Sequence, residues 1–355
     1  MLVNEVVETK AIAYAALNDP RNAIDYLGRQ FFPDKKINGL DLKWIRTSSG
    51  APVTLAPSNF DTLPVIRARG GLDIKKTQMA FFRESMRIDE EDAIEIDRIK
   101  DEKDPYLQAA LQSIYDDTNT LVRGAEVVPE RMIMQLLATT NGHPTIGIQA
   151  DGVNYAYDYD TDGSYASKHY LQLTSTGDKW SDTSNSNPIT DLMFAKKALN
   201  KIGKTPRYAL MTTTTFNYLL NNKQVKGAVL AQSANATVIM TDAVVKQVVK
   251  TLLGLDILIY DKVYVDEAGN EQQFYPDNKV TLLPDAALGS TCFGTTPEER
   301  TARQCADVDV TMYKNSIAIA KKVEYGPPAV TSVTVSEITL PSYEGMDSTF
   351  VIEVA

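Results

Sequence analysis

The feature that most constrains this chain is a run of strand-type sequence too long for an ordinary strand. Residues 63–69 and 72–88 both read as extended chain, with Gly70 and Gly71 between them. A glycine pair in that position marks a tight hairpin, because the favoured two-residue turns need positive φ at their central positions. At ~3.3 Å per residue the second limb could extend roughly 55 Å, whereas strands usually run ~3–10 residues. The neighbouring sequence is too short to cover such a limb. The pattern therefore predicts an arm that finds its partner on another molecule.

Charge points the same way. Residues 63–88 carry six bases (Arg67, Arg69, Lys75, Lys76, Arg83 and Arg87) against Asp73 and Glu84, a net of +4. Residues 89–104 carry nine acids against three bases, a net of −6. A basic arm beside an acidic root is complementary between copies of one chain. The expected inter-subunit residues are Arg67, Arg69, Gly70, Gly71, Lys75, Lys76 and Arg83 on the arm, with Asp89, Glu90, Glu91 and Asp92 at the root. The competing reading is a solvated hairpin beside a solvated acidic linker, which is what charge runs usually mean.

Behind the acidic run comes the strongest helix signal. Leu107, Leu111, Ile114, Thr118, Leu121, Ala125, Val128 and Met132 recur at spacings of three and four. Pro105 suits the first helical position. Pro129 either kinks this helix or begins a second one over 129–138. Unkinked, residues 105–138 would span ~45–50 Å at 1.5 Å per residue. With no comparable partner helix after it, this reads as a spine and not as a bundle member.

The rest of the frame is ordinary. A chain of 355 residues suffices for two domains or one elaborated domain, and 43% hydrophobic with 23% charged content suits a folded soluble protein. No apolar run approaches the ~20 residues of a membrane span. The first residues, MLVNEVVETK, lack the basic-then-apolar pattern of a secretory signal. Cys292 and Cys305 make no disulfide framework, which suits a reducing compartment. A net charge of −10 argues against nucleic acid as the main ligand.

In chain order, an apolar stripe predicts a helix over 3–17, stopped by Asn18, Asp19 and Pro20. Phe31 and Phe32 either pack on the body or await a partner. Residues 39–57 read as strand and loop, and 145–180 as polar and β-rich. The stretch 182–188 has linker composition. Helices are expected at 189–201, at 216–220 behind hydroxyl caps in 212–215, and at 243–253 behind Thr241 and Asp242, closed by Gly254. Strands are expected at 208–211, 255–260 and 280–283, with a hairpin over 263–275 turning at 267–270. This alternation marks about 182–300 as a compact α/β domain inserted in the chain. Four strands follow, at 308–312, 316–323, 332–340 and 350–354.

Motifs that suggest chemistry fail on inspection. Asp158, Asp160, Asp162 and Gly163 match half of a calcium loop, but the twelfth position is His169 where a bidentate Glu is needed. No helix pattern enters that segment. Gly203, Lys204 and Thr205 end like a phosphate loop, yet the first glycine of that motif falls on Ala198 behind helical sequence. The two histidines, His143 and His169, sit in a turn and a polar stretch, with no metal-ligand or triad spacing. No catalytic residue, cofactor or metal is expected.

The order of elements resembles the major capsid protein of tailed phages, in particular the lambda-type major head protein family. That order is arm, extended hairpin, spine helix, inserted domain and returning β segments. Three local matches carry it: residues 63–71 with the long limb after them, the stretch YALMTTTTFNYLLNNKQVKGAV at 208–229, and KVTLLPDAALGSTCFGTTPEE at 279–299. Each motif is degenerate, so the specificity lies in their order over nearly the whole chain.

The resemblance implies an α+β fold of the tailed-phage major capsid protein type. It implies an N-terminal arm and lead-in strand over 1–55 and an extended loop over 56–90 lying across a neighbour. A peripheral domain would comprise 91–181 and 301–355 with the spine helix 105–138, and an axial domain would comprise 182–300. It further implies pentamers and hexamers of this chain enclosing double-stranded DNA, which it touches only non-specifically, as a non-enzymatic virion component assembled in the bacterial cytoplasm. A separate scaffold and a portal are implied, and a decoration protein is compatible; no membrane is involved. Two alternatives stand beside it: an encapsulin-like compartment shell, and an α/β enzyme using a carboxylate pair.

Overall fold

The computed structural model describes residues 8–22, 24–46, 73–88, 105–150, 152–231, 240–305, 308–324, 326 and 330–355. The backbone forms two compact units. Unit 1 comprises residues 1–43, 76–131 and 290–342; unit 2 comprises residues 44–75, 132–289 and 343–355. These bounds differ from the segments drawn on the sequence, and the reason is strand pairing between distant residues.

Unit 1 is organised on one long strand, Val330–Ser342. Its run of Val, Thr and Ile favours a pleated, half-buried surface. Ile317–Glu324 pairs antiparallel with it, from Ala318 opposite Ser336 to Glu324 opposite Val330. Ser290–Phe293 pairs with its far end, and Asp34–Lys36 adds parallel to Ser290–Phe293. Val310–Tyr313 joins Ile317–Glu324 through three residues, 314–316, with Lys314 and Asn315 at φ of 47° and 59°. Positive φ at both positions is what a turn matching the strand twist requires.

Ala80–Ile88 also pairs antiparallel with Val330–Ser342, from Ala80 opposite Thr339 to Ile88 opposite Thr331. The limb expected to run unbroken over 72–88 is therefore two strands, Asp73–Gln78 and Ala80–Ile88, parted at Met79. The second strand is zipped into its own subunit's sheet. Sequence neighbours do not cover it, but the step from there to a partner on another molecule fails for this strand, whose partner lies some 250 residues away in the same chain.

Helix Thr9–Asn18 lays Ile12, Ala13 and Ala16 on the core formed by Leu121, Val122, Tyr313, Ile317, Ile319, Val333 and Val335. Phe31 and Phe32 are buried as well, so they pack on the body. Among residues 8–40 the described part of the N-terminal segment thus belongs to its own unit.

Pro105–Ala138 is a single helix of 34 residues with Pro129 inside it. Proline here neither ends the helix nor restarts it, and Pro129, Glu130, Met132, Ile133 and Met134 are all buried around it.

Unit 2 is built on a five-stranded sheet in the order Tyr170–Gln172, Phe350–Glu353, Lys279–Pro284, Pro206–Met211, Asp256–Ile259. Phe350–Glu353, grouped by sequence with the 301–355 segment, joins this sheet instead. It lies antiparallel to Lys279–Pro284 and parallel to Tyr170–Gln172. The registers set Phe350, Leu282, Ala209 and Ile257 in one cross-strand row and Val351, Thr281, Leu210 and Leu258 in the next. Neighbouring rows point to opposite faces.

The first row packs against four helices. Pro188–Lys201 contributes Leu192, Ala195 and Leu199, Thr213–Asn221 contributes Phe216 and Leu219, Lys223–Ala231 contributes Val225, and Asp242–Leu253 contributes Val245, Val249 and Leu253. The second row meets the end of the long helix, where the Thr281 hydroxyl donates to the Leu137 carbonyl at 2.7 Å. Local rules explain the helix ends. Asn187 and Thr212 accept from the third residue beyond them, and Gly254, at φ 65°, closes Asp242–Leu253. Helices Lys223–Ala231 and Ser164–His169 and strand Ser290–Phe293 were not anticipated.

Candidate assembly surfaces

The surfaces that matter in such a chain are those its arm and charges were expected to form. Of the expected arm residues, Arg67, Arg69, Gly70 and Gly71 lie outside the described residues, as do the root acids Asp89, Glu90, Glu91 and Asp92. Lys75 lies on strand Asp73–Gln78, and its side chain is outside the description. Lys76 is exposed and sits 2.9 Å from Asp41. Arg83 is half exposed, 2.5 Å from Glu298, with its guanidinium 4.7 Å from the centre of the Phe81 ring. Glu298 is itself fixed by the Ser336 hydroxyl at 2.7 Å. Both described bases are thus paired within their own subunit. Exposed pairs of this kind contribute only ~0–1 kcal/mol and exchange readily.

The root of the arm is rigid on its strand side. Met79 donates its backbone N–H to the Leu40 carbonyl at 2.9 Å, and Met79 and Ala80 are buried. Gly294 lies directly beneath. A Cβ there would meet Ile338 Cγ2 at 2.7 Å, the Gly39 carbonyl at 2.8 Å and Met79 Cε at 2.8 Å. The glycine is required by close approach, since its own φ is not positive.

Acidic groups stitch unit 1 together from inside. Glu130, on the long helix, accepts the Gly28 N–H with both oxygens at 3.1 and 3.0 Å, capping the short turn Gly28–Phe31. Glu126, one turn earlier and buried, holds Lys314 at 2.5 Å and lies 3.8 Å from Arg29. Glu337 is buried on Val330–Ser342, and neither carboxyl oxygen has a hydrogen-bond partner. Burial raises its pKa well above the ordinary carboxylate value; Arg29 opposes the shift, while Glu126 and Asp34 add to it. Burial thus favours the protonated form of Glu337.

The motifs set aside on sequence have structural roles. Asp160 accepts from the Tyr165 and Ala166 N–H groups at 2.8 and 3.0 Å and lies 3.4 Å from His143, so it caps helix Ser164–His169. Asp158 and Asp162 accept from the Asp160 and Ser164 N–H groups. The carboxylates that looked like a calcium loop are turn and cap acceptors. Gly203, at φ 77°, ends Pro188–Lys201, and Lys204 donates back to the Leu199 carbonyl at 3.0 Å. That is a helix C-terminus, where carbonyls and not N–H groups face outward, the wrong end for phosphate. His169 is buried, stacked on Tyr165 at 5.1 Å, with Nδ1 3.0 Å from the Thr349 carbonyl. Among the described residues no group of acidic, histidine or cysteine side chains could hold a metal, and no helix is long and apolar enough to cross a membrane.

The sequence profile of phage major capsid protein E matches residues 9–315. The chain belongs to the phage major capsid protein E family. No curated protein sequence matches it. Among solved structures it is similar to a protein assigned as the capsid protein of an Escherichia coli prophage, at 16% identity over 98% of this chain and 99% of that one, with a TM-score of 0.60. It is also similar to a phage-related protein from Bordetella bronchiseptica, at 14% identity over 98% of both chains, with a TM-score of 0.55. These likenesses carry the fold, and the family carries the role. The major capsid chain is a structural subunit of a phage head shell, assembling with copies of itself.

Proposed function

We propose that this capsid subunit forms pentamers and hexamers of an icosahedral head around double-stranded DNA, with the 56–90 loop laid across a neighbouring copy. The family match supports the shell, and the anchoring of Ala80–Ile88 supports the loop. That strand is seated beside Met79, whose N–H bonds the Leu40 carbonyl, and Asp73–Gln78 pairs with Asp41–Arg46. On this reading residues 182–300 surround the capsomer axes, while 91–181 and 301–355 form the periphery. Assembly takes place in the host cytoplasm with a separately encoded scaffold and a portal, and the subunit does no chemistry.

The experiment is expression of the full chain with its scaffold, followed by sedimentation and negative staining. Closed megadalton particles that fill with DNA in an infected cell are the expected result. A monodisperse monomer would refute the reading, and particles filled only with protein would favour a cargo compartment.

A further inference from the structure

Unit 2 divides its charge in a way the role described so far does not use. Residues 188–254 carry eight lysines and Arg207 against only Asp191 and Asp242, a net of +7 in a chain whose total is −10. This segment supplies all four helices on one face of the five-stranded sheet. Lys250 and Arg207 are matched locally, by Asp256 at 2.6 Å and Asp285 at 2.7 Å. Lys197, Lys201 and Lys223 are exposed and make no ion pair among the described residues. Phe194 shares the outer stripe of its helix with Lys197 and Lys201, at spacings of three and seven residues. Phe194 is 55% exposed, and Met193 and Leu252 are exposed too.

The opposite character occurs on the hairpin Val263–Val265 with Glu271–Gln273, which pairs only with itself among the described strands. Residues 261–273 hold four acids and one base. Val263 and Val265 lie on one face of it, 47% and 67% exposed, while Tyr264 turns the other way onto Phe274 at 4.9 Å. Glu271 stands opposite Val265, so acid and apolar side chains share that face. Asp266 is occupied in the turn, accepting from the Ala268 and Asn270 N–H groups at 3.0 and 2.8 Å. Glu267 and Glu271 are exposed.

We infer that the 263–273 hairpin of one copy docks on the lysine-rich helical face of the next, valines against Phe194 and its exposed neighbours, Glu267 and Glu271 against Lys197 and Lys201. Two complementary patches at different places on one chain make a head-to-tail contact, which closes into rings when the rotation allows. Duplex DNA is the other candidate for a lysine face, since phosphate binding needs clustered cations. Exposed Phe194, Met193 and Leu252 add nothing to phosphate binding, but they complete a surface for the two valines, and this favours a second copy.

The inference rests on the shell reading, and charge exchange in the full-length chain tests it. Lys197→Glu/Lys201→Glu and Glu267→Lys/Glu271→Lys should each lower the assembled fraction about tenfold at low salt while leaving the monomer's circular dichroism and Tm unchanged. Combining all four restores attraction and should recover assembly. If both double variants assemble like the wild type, or the combined variant is no better than either, the contact does not exist. Lysine reversal that spares assembly but lowers the DNA content of particles would assign the face to the genome and overturn the proposal. A wild-type chain that never assembles removes the shell reading and this contact together; a wild type that assembles beside unaffected variants removes the contact alone.

Discussion

The main cores of the two compact units handle charge differently. Unit 2 keeps it out of its main core: between its sheet and four helices lie apolar side chains, and its buried carboxyl, Asp160, is used to cap helix Ser164–His169. Unit 1 buries four carboxyls among the described residues, Glu126, Glu130, Glu299 and Glu337. The first arrangement stabilises by area removed from water and is insensitive to pH. The second holds the N-terminal segment and the turn after Tyr313 by charge, and the burial that raises the pKa of Glu337 ties its stability to pH. One chain therefore combines a dry unit with a tunable one.

The largest effect is expected in the dry core. Phe216→Ala or Leu282→Ala should cost ~2–5 kcal/mol, seen as a lower Tm or poor soluble yield, with a similar penalty at pH 5 and pH 8. A strongly pH-dependent penalty would break the contrast. Next, Gly294→Val forces side-chain atoms against Ile338 and the Gly39 carbonyl. It should cost roughly 1–3 kcal/mol and expose the arm root to amide exchange at Met79.

Glu337→Gln sharpens the comparison. An unfolded glutamate loses its proton near pH 4.3, whereas buried Glu337 keeps it to a much higher pH. Wild-type stability should therefore fall as pH rises above about 4.3. Glu337→Gln should remove that fall, leaving a higher Tm than wild type at pH 7.5 by roughly 2–4 °C per kcal/mol gained, and little difference at pH 4. A variant less stable at pH 7.5 would mean that the carboxylate has a partner.

The smallest stability effect belongs to the surface pairs. Arg83→Ala should change stability by less than about 1 kcal/mol, although Arg83 touches both Glu298 and Phe81. Reversing Arg67, Arg69, Lys75 and Lys76 to Glu should likewise leave the monomer folded while blocking shells. Normal shells from that variant would end the idea that the arm and the acidic root attract.

What was readable beforehand was local. The caps at Thr212 and Gly254 follow from a few neighbouring residues. The long helix was legible because its stripe repeats over many turns, and only the outcome at Pro129 was open. Pairing over long separations was not legible: nothing near Ala80 names Thr339 as its partner, and nothing near Phe350 names Leu282. Glu337 did carry a signal. It shares the parity of Val333 and Val335, so strand alternation places it on their buried face. The hairpin at 263–273 was recognised as a turn, but its exposure depends on what lies beside it in space.

The most direct test of the account is a reconstruction of the assembled particle. It predicts a shell of pentamers and hexamers in which Ala80–Ile88 stays paired with Val330–Ser342 of its own subunit while the 56–72 ribbon lies on a neighbouring copy. A map tracing that ribbon back onto its own subunit, touching no other copy, would contradict it.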